Sequence, residues 1–592
     1  MKVFFYSGLF FLLFCLSLPA KQHINNMKRP FDLHFLRPTS FCRETMTVLC
    51  VLFLTGCKSH HYVLQSVQPQ RIEITKALDK NPLPAAETFV LPYRAGVDSL
   101  RAPRVGESAQ YMSAKRPESL LSNWVADALV ATGQRMGYQV DLGICNIGGL
   151  RAAMPKGTVT RGDILAISPF ENFFTILKMK GSDVQTLMQD IAAVRGEGVS
   201  SGARLVITSD GQLKSATLGG QPIDPSRTYT IATLDYLADG NDKLYSLKRS
   251  TERIVTKEPV RETLMNHLLL LDGQGKKAEA KMEGRITITD NTASIDAPYA
   301  HSSGEGTNAS NGPALPSTET TISSLLGKTG GEAPLSLLLV HTNDTHSCIE
   351  PLSPLLADTA QADKGGYLRR AALLRDLRQH DKDLLLVDAG DFSQGSAYYS
   401  LYHGDVEVGL MNLMGYDAAT IGNHEFDFGL ENMARIFKQA RFPIVCCNYD
   451  FSGTPVEGLT RPYIIIKRAG LKIGILGVSP QLEGLVAAHT CEGVRYTDPI
   501  EAAQPMADYL KMEEKCDLVV CLSHLGWNTA GVSDEELIPA TRNIDIVIGG
   551  HSHTYFTKPQ VLKNLDGQEV PDNQMGKNAR YVGTLRLGFH SK

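Results

Sequence analysis

From Leu335 to the C-terminus, short apolar runs alternate with amphipathic stretches, and this alternation constrains the fold more than any other feature. The strand-like runs are Leu337–Val340, Leu384–Val387, Ala418–Ile421, Lys472–Val478, Leu518–Leu522 and Ile544–Ile548. Between them, Tyr367–Arg378, Glu431–Ala440 and Ala502–Lys515 carry apolar residues at helical spacing. Strand and helix in alternation build a layered α/β fold in which helices cover a sheet.

In such sheets functional groups gather at the carboxyl ends of strands, where loops converge. Five of the runs end that way. Val340 leads into His341-Thr342-Asn343-Asp344-Thr345-His346, and Val387 into Asp388-Ala389-Gly390-Asp391. Ile421 leads into Gly422-Asn423-His424-Glu425-Phe426-Asp427, Leu522 into Ser523-His524, and Ile548 into Gly549-Gly550-His551-Ser552-His553. A lone histidine at a strand end is more often structural. A series that delivers Asp, Asn or His each time points to a metal centre. The donors are the carboxylates of Asp344 and Asp391, the amide of Asn423, and the imidazoles of His346, His524, His551 and His553. That is too many for one tetrahedral zinc and suits two divalent ions sharing a bridging carboxylate. Two such ions outweigh two carboxylates, so the site should attract a phosphate dianion. Mixed His, Asp and Asn donors suit zinc, manganese and similar ions alike.

The chain of 592 residues is too long for one core. Its formal net charge of -4 argues against a large basic face for a nucleic-acid polymer. Its eleven cysteines have no repeated spacing, so neither a disulfide scaffold nor a four-cysteine zinc site is indicated.

Residues 1–57 carry export signals. Phe4 to Pro19 has the length of a signal-peptide core. Basic residues at Lys28, Arg29, Arg37 and Arg43 precede a second apolar run, Met46 to Leu54. Leu54-Thr55-Gly56-Cys57 then resembles a bacterial lipobox, which would make Cys57 a lipid-bearing residue holding the protein to a membrane. The preferred account takes Met27 as the true start, and the alternative is cleavage near Ala20. Either places the protein outside the cytoplasm, in the periplasm or cell envelope.

Residues 98–289 read as a mixed α/β domain. Glu118 to Met136 is helical in pattern, with Leu121, Trp124, Val125, Ala128 and Leu129 on one face. Strand-like runs follow at Thr175–Met179, Arg204–Thr208, Tyr229–Thr233 and Arg285–Thr289. Residues 290–334 are rich in Ser, Thr, Gly, Pro and Asn and read as a flexible linker with a reach of roughly 30–40 Å.

The motif set of residues 335–592 resembles the calcineurin-like metallophosphoesterases. His341-Thr342-Asn343-Asp344, Gln394-Gly395 and the extension to Phe426-Asp427 narrow the resemblance to the 5′-nucleotidase branch. It implies a layered metallophosphoesterase β-sandwich flanked by helices. Asp344, His346 and His553 would hold one metal, Asn423, His524 and His551 the other, and Asp391 would bridge them. His424, oriented by Asp427, would stabilise the transition state or protonate the leaving oxygen. Ser347 stands where relatives often have Gly.

The first domain resembles the nucleotide-binding domain of the same enzymes from about Pro117 to Leu244. The resemblance rests on Asn146-Ile147-Gly148-Gly149-Leu150-Arg151, Gly162-Asp163-Ile164, Pro169-Phe170-Glu171-Asn172 and Thr228–Ala238. By position, Phe170 and Tyr236 would sandwich the base, and Asn146, Arg151, Asn172 and Asp242 would bind the rest of the substrate. Asn241, Lys243-Leu244 and Lys115 depart from the usual pattern. The domain order is inverted, since relatives carry the phosphatase domain first.

The resemblance implies an exported phosphohydrolase that releases nucleoside and phosphate from nucleotides. A 2′,3′-cyclic nucleotide phosphodiesterase/3′-nucleotidase or a nucleotide-sugar hydrolase is the alternative, and an idle nucleotide-binding surface lipoprotein a remoter one. No protein partner can be read from the sequence.

Overall fold

The computed structural model describes residues 61–170, 172–289, 335–353, 360–529 and 531–591. The export segments, Cys57 and the linker over 290–334 lie outside the described residues. Among the described residues no helix is long and apolar enough to cross a membrane.

The described chain starts with β1 (Tyr62–Glu73) and α1 (Pro84–Arg101), followed by α2 (Leu120–Arg135), β2 (Leu142–Cys145), α3 (Arg161–Ile167), β3 (Phe173–Lys180), β4 (Thr228–Leu234) and β5 (Glu252–Pro259). Ser119 caps α2 by accepting the Ser122 N–H, and a Thr160–Asp163 capping box opens α3. The apolar face read from the α2 sequence is buried. Strands β5, β3, β4 and β2 lie side by side in that order, with the short strand Gly198–Val199 at the edge. This half of the chain is the expected mixed α/β unit with its own core.

The second half contains β6 (Leu335–Thr342), β7 (Leu385–Asp388), α4 (Ala397–Tyr402), α5 (Asp405–Met414), β8 (Ala418–Ala419), β9 (Ile444–Val445), β10 (Leu471–Val478), β11 (Leu518–Ser523), β12 (Ile546–Ile548), β13 (Glu569–Asn573) and β14 (Tyr581–Ser591). A seven-stranded sheet runs β1-β14-β6-β7-β8-β9 and ends on Thr460–Arg461. A six-stranded sheet contains β10, β11, β12 and β13 as neighbours, flanked by Tyr463–Arg468 and Gln560–Lys563. Side chains alternate across each strand. Leu337, Leu339, Leu385 and Val387 therefore meet Ile473, Ile475, Leu518, Val520 and Leu522 between the two sheets. Leu338, Val340 and Leu386 point the other way, into the helices on the outer face. Ala503, Ala507, Leu537 and Ile538 cover the far side of the second sheet. The result is the layered α/β fold with helical cover that the alternation implies, in the β-sandwich form that the resemblance implies.

The third run is shorter than its apolar length suggests. β8 ends at Ala419, because the chain turns out of the sheet before Gly422 and Asn423. The stretch read as one helix over Ala502–Lys515 is an α-helix over Pro499–Asp508 that widens to a π-helix over Tyr509–Glu513.

The sequence reading left residues 58–97 unassigned, and the described part of them proves to belong to the second half. β1 pairs antiparallel with β14 from Tyr62↔Ser591 to Glu73↔Tyr581. Ile72, Ile74, Leu78, Ala86, Val90 and Val97 are buried in the same core as Leu338 and Val340. Helix α1 also runs through Asp98, where the sequence reading begins the first domain. The strand escaped notice because it is an edge strand of mostly polar residues with Pro69 inside it, and the helix because it contains Pro92.

One contact at the sheet centre is spatially tight. His341 is fully buried on β6 opposite Gly583 of β14. A Cβ at residue 583 would stand 2.1 Å from His341 Nε2. Gly583→Ala should therefore destabilise the fold by about 1–3 kcal/mol, read as a lower urea midpoint. An unchanged midpoint would mean the ring has room to move.

Candidate metal centre and the cleft above it

The strand ends β6, β7, β11 and β12 and the turn after β8 converge on one point. Ligand atoms of Asp344, His346, Asp391 and His553, all buried, lie within 4.8 Å of one another. His553 Nε2 and His346 Nε2 stand 3.5 and 3.9 Å from Asp344 Oδ1. His524 Nε2 is 3.2 Å from Asp391 Oδ2 and 3.9 Å from Asp344 Oδ1, and its Nδ1–H donates to the Ala389 carbonyl at 2.6 Å. That bond leaves Nε2 as the free donor atom. Beside it, His551 Nδ1 is 2.9 Å from Asn423 Oδ1. All seven groups predicted from sequence are thus brought together.

The backbone is bent to deliver them. Asp344 (φ 46°), His346 (44°), Asp391 (55°), His551 (69°) and His553 (56°) all adopt the left-handed conformation. Each costs on the order of 1 kcal/mol for a residue with a Cβ, a cost seen mainly at functional sites. Gly422 is needed for space, because a Cβ there would lie 2.1 Å from Asp391 Oδ1.

Electrostatics describe a site made for cations. Burial pushes Asp344 up to about 7, with Asp391 adding to the effect. Burial also opposes charge on Asp391, but His524 and His424 hold it well below the usual carboxylate range. Against burial, Asp391 and Asp344 raise His524 to about 10, so a cation between these carboxylates competes with that proton. Burial keeps His346 and His553 neutral and, with help from His524, lowers His551 to about 3. Neutral imidazole is the form that ligates metals. His346 Nε2 and His553 Nε2 face each other at 2.8 Å beside two carboxylates, and His524 Nε2 is buried without a hydrogen-bond partner. Such a donor set fits divalent ions.

Two residues shape the site without belonging to the ligand set. His424 Nδ1 lies 3.1–3.2 Å from the Asp427 carboxylate, and the His424 N–H donates to Asp391 Oδ1 at 2.9 Å. Burial would lower His424, but Asp427 and Asp391 raise it to about 9. The Glu425 carboxylate accepts the backbone N–H groups of Gly422 (2.6 Å), Asp391 and Ser393 (both 3.1 Å). It ties the β7 turn to the β8 turn. Nothing in the sequence pattern singled out that role.

The first half of the chain faces this centre. The Phe170 ring, just after α3, is 5.9 Å from the His424 ring, and the Arg151 guanidinium lies over Phe170 at 5.1 Å. Burial lowers Arg151, opposed by Asp242, Tyr236, Asp391 and Asp427. Asp242 accepts from the Tyr236 hydroxyl at 3.0 Å and from Asn146 Nδ2–H at 2.8 Å. Asn172 is half-buried at the foot of β3, and its carbonyl accepts the Val260 N–H at 2.8 Å. Sequence reasoning missed the buried Arg116–Glu197 ion pair, whose carboxylate also accepts the Ile147 N–H beneath Asn146.

Residues 337–555 match the family described as calcineurin-like phosphoesterase, and residues 102–249 match the 5′-nucleotidase, C-terminal domain. Both halves of the chain thus resemble parts of the 5′-nucleotidases. The two run in inverted order. The chain is 31% identical to the 5′-nucleotidase of Bos taurus over 278 residues, 44% of this chain and 47% of the bovine one. It is 26% identical over 420 residues to the trifunctional nucleotide phosphoesterase protein YfkN of Bacillus subtilis, 63% of this chain and 27% of that protein. The crystal structure of the 5′-nucleotidase precursor from Thermus thermophilus is 32% identical with a TM-score of 0.39, covering 43% of this chain and 54% of that one. The chain thus spans less than half the length of these two curated relatives.

Removing and restoring cations should be visible in stability. Adding a divalent ion to chelator-stripped protein should raise Tm, since binding only the folded state stabilises it, and Asp391→Asn should abolish most of the rise. A Tm indifferent to every divalent ion would contradict the metal centre.

Proposed function

We propose that this chain is a dimetal phosphohydrolase that cleaves nucleotides with water, releasing nucleoside and phosphate. The observation that carries the reading is the approach of the Phe170 ring, with Arg151 over it, to His424, whose ring neighbours His346 of the Asp/His cluster. Asp344, His346 and His553 would hold one divalent ion, and Asn423, His524 and His551 the other, with Asp391 between them. When bound, such ions supply Lewis-acid polarisation of the phosphoryl oxygens and a more acidic water.

The side chains supply the rest. His424 hydrogen-bonds to Asp427 through its Nδ1–H and keeps its second proton on Nε2 for the leaving oxygen. Arg151 offers a planar cationic fork to substrate oxygens. Asp242, held by Tyr236 and Asn146, offers acceptor oxygens for hydroxyls, and Asn172 adds a further polar group. The rings of Phe170 and Tyr236 would stack on the base, a contribution of about 1–3 kcal/mol per base. Export and a lipid anchor at Cys57 belong to the same proposal, and loss of lipid labelling in Cys57→Ala is their test.

Phosphate release from a panel of nucleoside monophosphates, cyclic nucleotides and nucleotide sugars should show preference for the monophosphates. His424→Ala should lower kcat at least about a hundredfold while bound metal stays constant. Tyr236→Ala should weaken nucleotide turnover far more than that of p-nitrophenyl phosphate. Equal losses on both substrates would remove the base clamp from the mechanism.

A further inference from the structure

Helix α1 belongs to the phosphoesterase sandwich by packing but enters the nucleotide-binding half by sequence, and it touches the wall of both sites. On its first side it lies against α4 and α5. Phe89 occupies the bare face of Gly409 on α5, its Cζ 2.2 Å from where a Cβ would stand. Reciprocally, the Tyr402 hydroxyl of α4 occupies the bare face of Gly96 on α1, 2.0 Å from a Cβ position. The rings of Tyr93 and Tyr402 meet edge-on at 4.8 Å, and the Tyr402 O–H donates to the Tyr93 carbonyl at 3.2 Å. Arg94 Nε–H and the Tyr398 O–H both donate to Glu350 Oε1 at 2.8 Å. Helix α4 in turn backs the catalytic turn. Tyr399 packs on Phe428 at 5.0 Å, next to Asp427, and its hydroxyl donates to the His424 carbonyl at 3.4 Å.

On its other side α1 packs against α3. The stem of Arg101 covers Gly162 of α3, and the Arg161 N–H donates to the Pro103 carbonyl at 2.8 Å. Helix α3 leads into Phe170, and the Ile167 carbonyl at its end accepts the Arg151 N–H at 2.9 Å. One helix therefore grips both the helix behind His424 and the helix that carries Phe170. The 290–334 segment is the second connection between the halves and lies outside the described residues.

We propose that Phe89 and Tyr93 of α1 are positioning residues, which fix the span between the Phe170 stacking face and His424 and so set the preference for nucleotides over small phosphoesters. This rests on the nucleotide reading of the site. The glycine pair at 96 and 409 lets aromatic side chains interlock where ordinary residues would hold the helices apart, so the span is sensitive to the volume at residue 89. A displacement of about 1 Å between binding and reacting groups suffices to cost on the order of a hundredfold in rate.

The test uses the full chain loaded with divalent ions. In the unaltered protein, AMP must be turned over with a lower KM than p-nitrophenyl phosphate; failure at this step overturns the nucleotide reading itself. Given that, Phe89→Ala should raise KM for AMP at least about tenfold and leave kcat/KM for p-nitrophenyl phosphate within about threefold. Phe89→Leu, which refills most of the volume, should shift AMP in the same direction by less, and it carries the test if Phe89→Ala does not fold. Independently of activity, spin labels on keto-bearing residues introduced at the exposed positions of Lys180 and Lys563 should give one narrow distance, broadened in the variant. Equal loss on both substrates, no loss on either, or an unbroadened distance would each overturn the positioning role.

Discussion

Two buried carboxylates set the terms for this protein. Asp344 and Asp391 are excluded from water and lie with their oxygens in one small cluster. Like charges so close in a low-dielectric interior cannot both remain ionised without positive partners. The surroundings supply these in layers: the His524 ring against both, backbone N–H groups of His551 and His424, and the Asn343 amide. The donor atoms still facing the cluster are imidazole nitrogens, a set that fits a divalent cation completing the balance. The sandwich exists in a form that makes this possible, because parallel strands β10 to β13 and β6 to β9 end together and their following turns can be short, glycine-bearing and left-handed.

The first half of the chain faces the same cluster. A cluster loaded with two divalent ions would attract phosphate but would say nothing about what the phosphate is attached to. The selectivity must come from surfaces farther out, and Phe170, Arg151 and the Tyr236–Asp242–Asn146 network provide an aromatic face, a cation and acceptor oxygens within one cleft. The inverted order of the two halves does not disturb this. Tyr62 and Ser591 are register partners in neighbouring strands, so the N-terminal arm rejoins the sandwich beside its last strand and carries the chain onward into the nucleotide-binding half.

Much of the sandwich was legible from apolar periodicity, since a strand buried on both faces leaves a run such as Leu337–Val340 that little else explains. The candidate ligands were legible because seven metal-type side chains after strand-like runs are improbable by chance. The edge strand β1 and helix α1 were not legible. Their residues are polar or interrupted by proline, and their stability comes from β14, α4 and α5, hundreds of residues away. The Arg116–Glu197 pair and the three backbone bonds to Glu425 were hidden for the same reason, as each joins segments that are separate in sequence or meet only in a turn.

The sequence by itself determined the central strands of the sandwich, most of its helices and the chemistry they carry, because strand and helix periodicity and the donor atoms of Asp, Asn and His are local properties. Tertiary structure alone decided that Asp344, Asp391 and the histidines share one buried point, that five of them take left-handed backbone, and that Phe170 lies over His424 rather than over solvent. Those outcomes depend on packing between distant segments, such as α1 against α3, α4 and α5, and no local pattern encodes the distance between two walls of a cleft.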